Sequence, residues 1–173
     1  MKPIFAFDFE TKRFRSGLMA PPVACMSWAQ QGTRGARLEV GDDIEKQLAR
    51  MLTDALEGRA LLVAHNAAFD FACAWEHFPR LRSLIWQAYA DGVVSCTVLR
   101  QKLLDIRLGR YRGEFNDSGS WVEFGYDLAS LVDRFFEIQL PKDEELRTSF
   151  WDLRHTPIAQ WPKRHVDYAK NDA

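Results

Sequence analysis

From Phe5 to Thr11 the side chains alternate, with Phe5, Phe7 and Phe9 on every second position and Asp8 and Glu10 between them. That period predicts a β-strand with three aromatic rings on one face and two carboxylates on the other. A basic, Gly-containing link from Lys12 to Gly17 and the pair Pro21-Pro22 lead into a second predicted strand, Val23 to Ala29. A turn at Gln31-Gly32-Thr33 precedes a short third strand around Ala36 to Val40, so the opening reads as an antiparallel meander of three strands. Ile44, Leu48, Met51, Leu52, Ala55 and Leu56 then repeat at helical spacing, with Asp42-Asp43 as cap and first-turn acid and Gly58 as the stop. The continuous apolar run Ala60 to Ala64 predicts a strand buried on both faces, which delivers the chain to His65-Asn66. A second helix, capped by Asn66, carries Phe69, Asp70, Phe71 and Trp75 towards Pro79. Asp70 therefore lies just past the carboxyl end of a buried strand, where open α/β sheets hold their ligands.

The pattern continues with a short helix from Arg80 to Ala90, a turn at Asp91-Gly92 and a short strand at Val93 to Cys96. A helix whose apolar side is Val98, Leu99, Leu103 and Ile106 follows. Between Gly109 and Gly125 periodicity fails, which predicts a long loop bearing Arg110, Tyr111 and Arg112, either functional or a disordered insertion. Leu128, Leu131, Val132, Phe135 and Phe136 restore the helical period, whereas the stretch after Pro141, with Arg147, Phe150, Trp151 and Arg154, predicts no particular element. A last helix starts at Trp161-Pro162 and puts Tyr168 and Asp172, four apart, on one face. A helix with a functional residue so close to its end would ordinarily continue, so residues 1–173 are expected to be part of a longer polypeptide.

With 173 residues and 47% hydrophobic content the chain fits one α/β domain. No apolar run reaches the ~20 residues that span a bilayer and the N-terminus has no leader pattern, so no membrane association and an intracellular, cytoplasmic setting are expected. Cys25, Cys73 and Cys96 are odd in number and form no CxxC pair, which predicts reduced thiols and neither zinc nor disulfide. A net charge of −1 excludes a grip on nucleic acid by bulk electrostatics; a phosphate-bearing substrate would need metal ions or a local basic groove.

Two carboxylates side by side on an apolar strand repel unless a cation lies between them, and oxygen-only ligands suit Mg²⁺ or Mn²⁺. The alternative is a solvated strand end with two unrelated acids. Further pieces arrive in order: Asp8-Phe9-Glu10 on a strand, Asn66-Ala67-Ala68-Phe69-Asp70 at a helix start, and Tyr168-Ala169-Lys170-Asn171-Asp172 on the last helix. Together they resemble the three motifs of the DEDD superfamily of 3′–5′ exonucleases, D-x-E, N-x₂₋₃-(F/Y)-D and Y-x₃-D, without a departure. The Tyr form of the third motif marks the DEDDy branch, and His165, seven before Asp172, does not fit the His form and is expected to face solvent. Leu146-Arg147-Thr148-Ser149-Phe150, Pro157-Ile158 and Trp161-Pro162 add a softer resemblance to the exonuclease region of phage-type family A DNA polymerases.

The resemblance implies an RNase H-like mixed sheet, three antiparallel strands and then parallel ones, flanked by helices. It implies two divalent ions, Mg²⁺ or Mn²⁺, one held by Asp8, Glu10 and Asp172 and the other shared between Asp8 and Asp70. Tyr168 would orient the attacking water, and Thr11 and Asn66 would support the ligands or touch substrate. Phe69 and Phe71 are expected in the core, although one aromatic ring near a terminal base would suit single-strand binding. The implied substrate is the 3′ end of single-stranded DNA, or of RNA, releasing nucleoside 5′-monophosphates, with a downstream polymerase domain as partner. An exoribonuclease like RNase D and a catalytically silent nucleic-acid-binding module are the alternatives.

Overall fold

A computed structural model describes residues 2–17, 20–140 and 143–172. Pro141, after which no element is predicted, and the last residue, Ala173, lie outside the described residues. Three antiparallel strands, β1 (Ile4–Thr11), β2 (Val23–Gln30) and β3 (Arg37–Glu39), are joined by two parallel ones, β4 (Leu61–Ala64) and β5 (Val94–Cys96), in the order β3-β2-β1-β4-β5. The central strand is therefore β1. Its pairing with β2 runs from Phe5 opposite Gln30 to Glu10 opposite Cys25, and a register shift follows between Glu10 and Thr11. Because β4 pairs with β1 as far as Val63 opposite Ala6, the chain leaves β4 at His65-Asn66 alongside the Asp8–Glu10 stretch.

Seven helices flank the sheet among the described residues: α1 (Asp42–Leu56), α2 (Ala67–His77), α3 (Arg82–Ala90), α4 (Thr97–Arg107), α5 (Leu128–Phe136), α6 (Glu144–Leu153) and α7 (Lys163–Asn171). Phe5, Phe7 and Phe9 pack with Leu48, Met51 and Phe71 into the larger core. A smaller cluster of Ala24, Cys25, Leu38, Phe150, Trp161 and Ala169 seats α6 and α7 on β2 and β3. The mixed sheet flanked by helices is the expected one, and all three cysteines are free. No helix among the described residues is long and apolar enough to cross a membrane.

Local details depart from the expectation where tertiary packing decides. Gly41, not Asp42, takes the cap of α1, and Asp42 and Asp43 both sit in its first turn. Pro162 likewise precedes α7 as its cap. Asn66 caps α2 through its backbone alone: it adopts φ 60° and makes no side-chain cap hydrogen bond. The strand β4 is covered on one face only, since Leu61 and Val63 line an open apolar cleft of about 370 Å³ between α4 and α5. On α4 the expected apolar side, Leu99, Leu103 and Ile106, faces solvent, and the side turned inward carries Asp105.

Residues 109–125 are not structureless either. They form a hairpin of β6 (Gly113–Phe115) and β7 (Trp121–Glu123), closed by a turn in which the Asn116 side-chain Oδ1 accepts from Ser118 N at 3.1 Å and Ser120 N at 2.9 Å. At φ +155°, a Cβ on Gly113 would lie 2.7 Å from the Trp121 ring, so the strand can pass under that indole only as glycine. His165 is buried at 4% exposure instead of facing solvent, because α7 turns that side onto α6, where His165 Nε2 meets Ser149 Oγ at 2.9 Å and the ring sits on Phe150.

Candidate active site

Side-chain alternation on β1 sends its three phenylalanines into the core and leaves Asp8 and Glu10 on the face opposite, where α6 and α7 lie. The helix α7 then supplies Asp172 at its C-terminus, with Tyr168 one turn earlier packed on Phe150 at 6.0 Å between ring centres. Carboxylate oxygens of Asp8, Glu10 and Asp172 all lie within 4.8 Å of one another. From the first turns of α2, Asp70 points back at β1 and accepts the Phe9 N–H at 3.2 Å, pinned to the backbone between Asp8 and Glu10. Asp8, Glu10, Asp70, Asp172, Tyr168 and Asn66 thus border one cleft of about 350 Å³. Thr11 lies on an adjoining cleft of about 340 Å³.

Burial of so many like charges shows in their proton affinities. The Asp8 carboxyl is raised well above the usual range, by burial first and then by Asp70, Glu10 and Asp172, with Arg147 opposing. Burial, followed by Asp172, pushes Glu10 up to about 8, and burial raises Asp70 to about 7 against the hydrogen bond from Phe9. Asp172 is also raised by burial. The donor set is all oxygen, acidic and short of positive charge, which fits a hard divalent cation. His65, on the same cleft, has its Nδ1 bonded to Thr97 Oγ1 at 2.9 Å, and Cys25 is fully buried. Two further acids at the cleft are helix caps: Asp127 accepts Ser130 N at 3.2 Å, and Asp143 accepts Glu145 N and Leu146 N, both at 3.1 Å.

A pH dependence follows. Carboxyls whose folded-state pKa is raised bind protons more tightly in the folded chain, so their contribution to stability is complete below pH 4 and is lost as the pH rises through 7 to 8. Each retained proton is worth about 1.4 kcal/mol per pH unit in that window, or about 2–4 °C of Tm per kcal/mol for a domain of this size. In EDTA, Tm should fall by roughly ten degrees or more between pH 5 and pH 8, and Mn²⁺ should cancel most of the fall. Thermal melts with a flat or rising Tm in EDTA would show that burial does not raise these carboxyls in the folded chain.

Sequence reasoning missed three features here. Arg147, on α6, borders both clefts and its positive charge favours ionisation of Asp8, Glu10, Asp172 and Tyr168. Phe69, expected in the core, is 38% exposed between the two clefts, whereas Phe71 is buried as expected. Lys12, Arg13 and Phe14 line the adjoining cleft with Thr11, and the Lys12-Arg13 pair beside the first motif was the available signal.

No protein-family model and no curated protein matches the chain. Solved structures do. It is similar to the EXO domain of Nibbler from Aedes aegypti, with 15% identity and a TM-score of 0.62 over 99% of this chain and 73% of that one. It is similar as well to RNase D from Escherichia coli, described as an exoribonuclease involved in structured RNA processing, with 18% identity and a TM-score of 0.58 over 99% of this chain and 36% of that one. With strands, helices and their order aligned along nearly its whole length, the chain has the RNase H-like fold of these structures.

Proposed function

We propose that the chain is a metal-dependent 3′–5′ exonuclease that removes terminal nucleotides from single-stranded nucleic acid. The observation that carries this reading is the convergence of Asp8, Glu10, Asp70 and Asp172 from three separate elements on one cleft bordered by Arg147 and Tyr168. Asp8, Glu10 and Asp172 would hold one divalent ion, Mg²⁺ or Mn²⁺, and Asp8 with Asp70 a second. Such ions, when bound, lower the pKa of water and offset the charge of a phosphodiester. Tyr168, pushed up to about 12 by burial and the acids around it, keeps its proton at neutral pH. It therefore orients the attacking water by hydrogen bonding and is not the base. The Arg147 guanidinium suits a phosphate oxygen, Phe69 offers a ring to the terminal base, and Asn66 and Thr11 border the space left for the sugar.

Two substrates are supported by different observations. The resemblance of the three motifs to proofreading domains favours DNA and a polymerase domain as working partner. The likeness to RNase D favours RNA. Digestion of 5′-labelled DNA and RNA of one sequence, with free or blocked 3′ ends and with Mg²⁺, Mn²⁺ or EDTA, tests both. A ladder shortening from free 3′ ends only when metal is present is the expected result, and the faster-cut strand names the substrate. Internal cuts, or intact strands of both kinds, would overturn the proposal.

A further inference from the structure

The hairpin of residues 113–123 plays no part in the chemistry above, yet it grows from the rim of the acidic cleft. Its second strand runs through Phe124 and Gly125 to Tyr126, and the next residues, Asp127 and Leu128, already line that cleft. Beside Tyr126 stands Tyr111, with ring centres 6.0 Å apart. Each of the two rings has a cation near its face, Arg112 at 5.6 Å from Tyr111 and Lys102 at 5.4 Å from Tyr126. Further out, Trp121 lies across Gly113 and meets Phe115 edge-on at 5.2 Å. Tyr111, Trp121 and Phe115 are 40%, 53% and 70% exposed.

Exposed rings on a mobile loop would mean little, but these have a rigid mount. Asp105, fully buried, accepts from Tyr126 Oη at 3.0 Å, from Arg110 Nε at 3.2 Å and from Arg134 at 2.9 and 3.0 Å, which ties the base of the hairpin to α4 and α5. Tyr126 Oη also accepts Arg112 N at 3.4 Å, and Arg112 is held at φ 69°, a conformation that non-glycine residues seldom adopt and that often marks functional segments. Flat rings with guanidinium and ammonium groups between them suit stacked bases joined by phosphates. They suit an aliphatic partner surface less well. Of the acidic groups, Asp117 lies at the turn, whereas Glu123 stands opposite Gly113 and Glu114 pairs with Arg110 at 3.7 Å, so the favourable stretch is the side of the hairpin base where Arg112 and Lys102 meet the tyrosine rings.

We propose that the base of this hairpin is a second binding site for polynucleotide, in which bases upstream of the terminal nucleotide stack on Tyr111 and Trp121 while Arg112 and Lys102 meet the phosphates. The site rests on the exonuclease reading for its polarity but not for its existence, since it binds a strand whether or not the strand is cut. The function it adds is length selectivity: a strand that reaches the hairpin is held more tightly than one that fills the acidic cleft alone.

The test is equilibrium binding by fluorescence anisotropy in Ca²⁺, using labelled DNA and RNA of three and of twelve nucleotides, with the full chain and its Tyr111→Ala, Trp121→Ala and Arg112→Ala variants. Trp86→Ala, which removes an exposed ring on α3, is the control. The expected result is that the intact chain binds the twelve-nucleotide strand at least tenfold more tightly than the three-nucleotide one, and that each hairpin variant shrinks this ratio severalfold while Trp86→Ala leaves it alone. Circular dichroism melts confirm that the variants fold. A ratio unchanged in all three variants, or no preference for the longer strand in the intact chain, overturns the proposal. Hydrolysis of the same strands in Mg²⁺ is scored separately. Loss of cleavage with the length preference intact would sink the exonuclease reading and leave the binding site standing.

Discussion

Replacing Asp8 by Asn should abolish metal-dependent shortening of nucleic acid while making the metal-free protein more stable. Asp8 sits on the central strand and its charge is opposed first by burial and then by Asp70, Glu10 and Asp172. It is also the carboxylate proposed to be shared by both ions, so its loss removes several kcal/mol of charge stabilisation at the phosphate, a decrease of about 10³-fold or more in rate. In EDTA at pH 8 the same change removes the cost of burying the Asp8 carboxylate and, with it, repulsion from its neighbours, and Tm should rise by a few degrees. Rate and Tm are thus expected to move in opposite directions, an outcome that ordinary loss of packing cannot produce. Turnover within tenfold of the unaltered chain would remove Asp8 from the metal site.

The second large effect concerns stability alone. Asp105→Asn keeps the shape of the side chain but leaves Arg134, bound to it through both terminal nitrogens, without a counter-charge in a buried setting. Burial by itself would raise the Asp105 carboxyl, but hydrogen bonds from Arg134, Gln101 and Tyr126 outweigh it and hold the group down at about 2. The sign is therefore opposite to that of the cleft acids: this stability is present above pH 4 and is lost as the pH falls towards 2. Breaking one side of a buried pair typically costs about 3–5 kcal/mol, which for this length lowers Tm by about 10 °C. A thermal melt within 2 °C of the unaltered protein, on the order of 1 kcal/mol or less, would show that Arg134 finds another partner.

The opening meander and the acidic motifs could be read from the chain because each depends on neighbours in sequence. Alternation places Asp8 and Glu10 on one face of β1, and a four-residue step places Tyr168 and Asp172 on one side of α7. What could not be read depends on which surfaces close on which. Periodicity says that Leu99, Leu103 and Ile106 share a side of α4, but not that the polar side, with Asp105, is the one turned inward. The same ambiguity hid His165, whose burial follows from how α7 lies on α6. Arg147 lay in a stretch with no legible period, and its place at the cleft depends on Phe150 anchoring α6 in the smaller core. The hairpin escaped notice because strands of three residues carry too little alternation to register.

The left-handed backbone of Asn66 bears on how chains of this kind are recognised. At φ 60°, asparagine and glycine are the residues that fit with least strain, whatever their side chains touch. The letter that opens the second motif is therefore, at least in part, a record of backbone geometry at the exit from β4. A search pattern that demands asparagine there would reject a relative with glycine whose carboxylates stand in the same places, so the acids, and not the letter in front of them, should carry the weight of such a pattern.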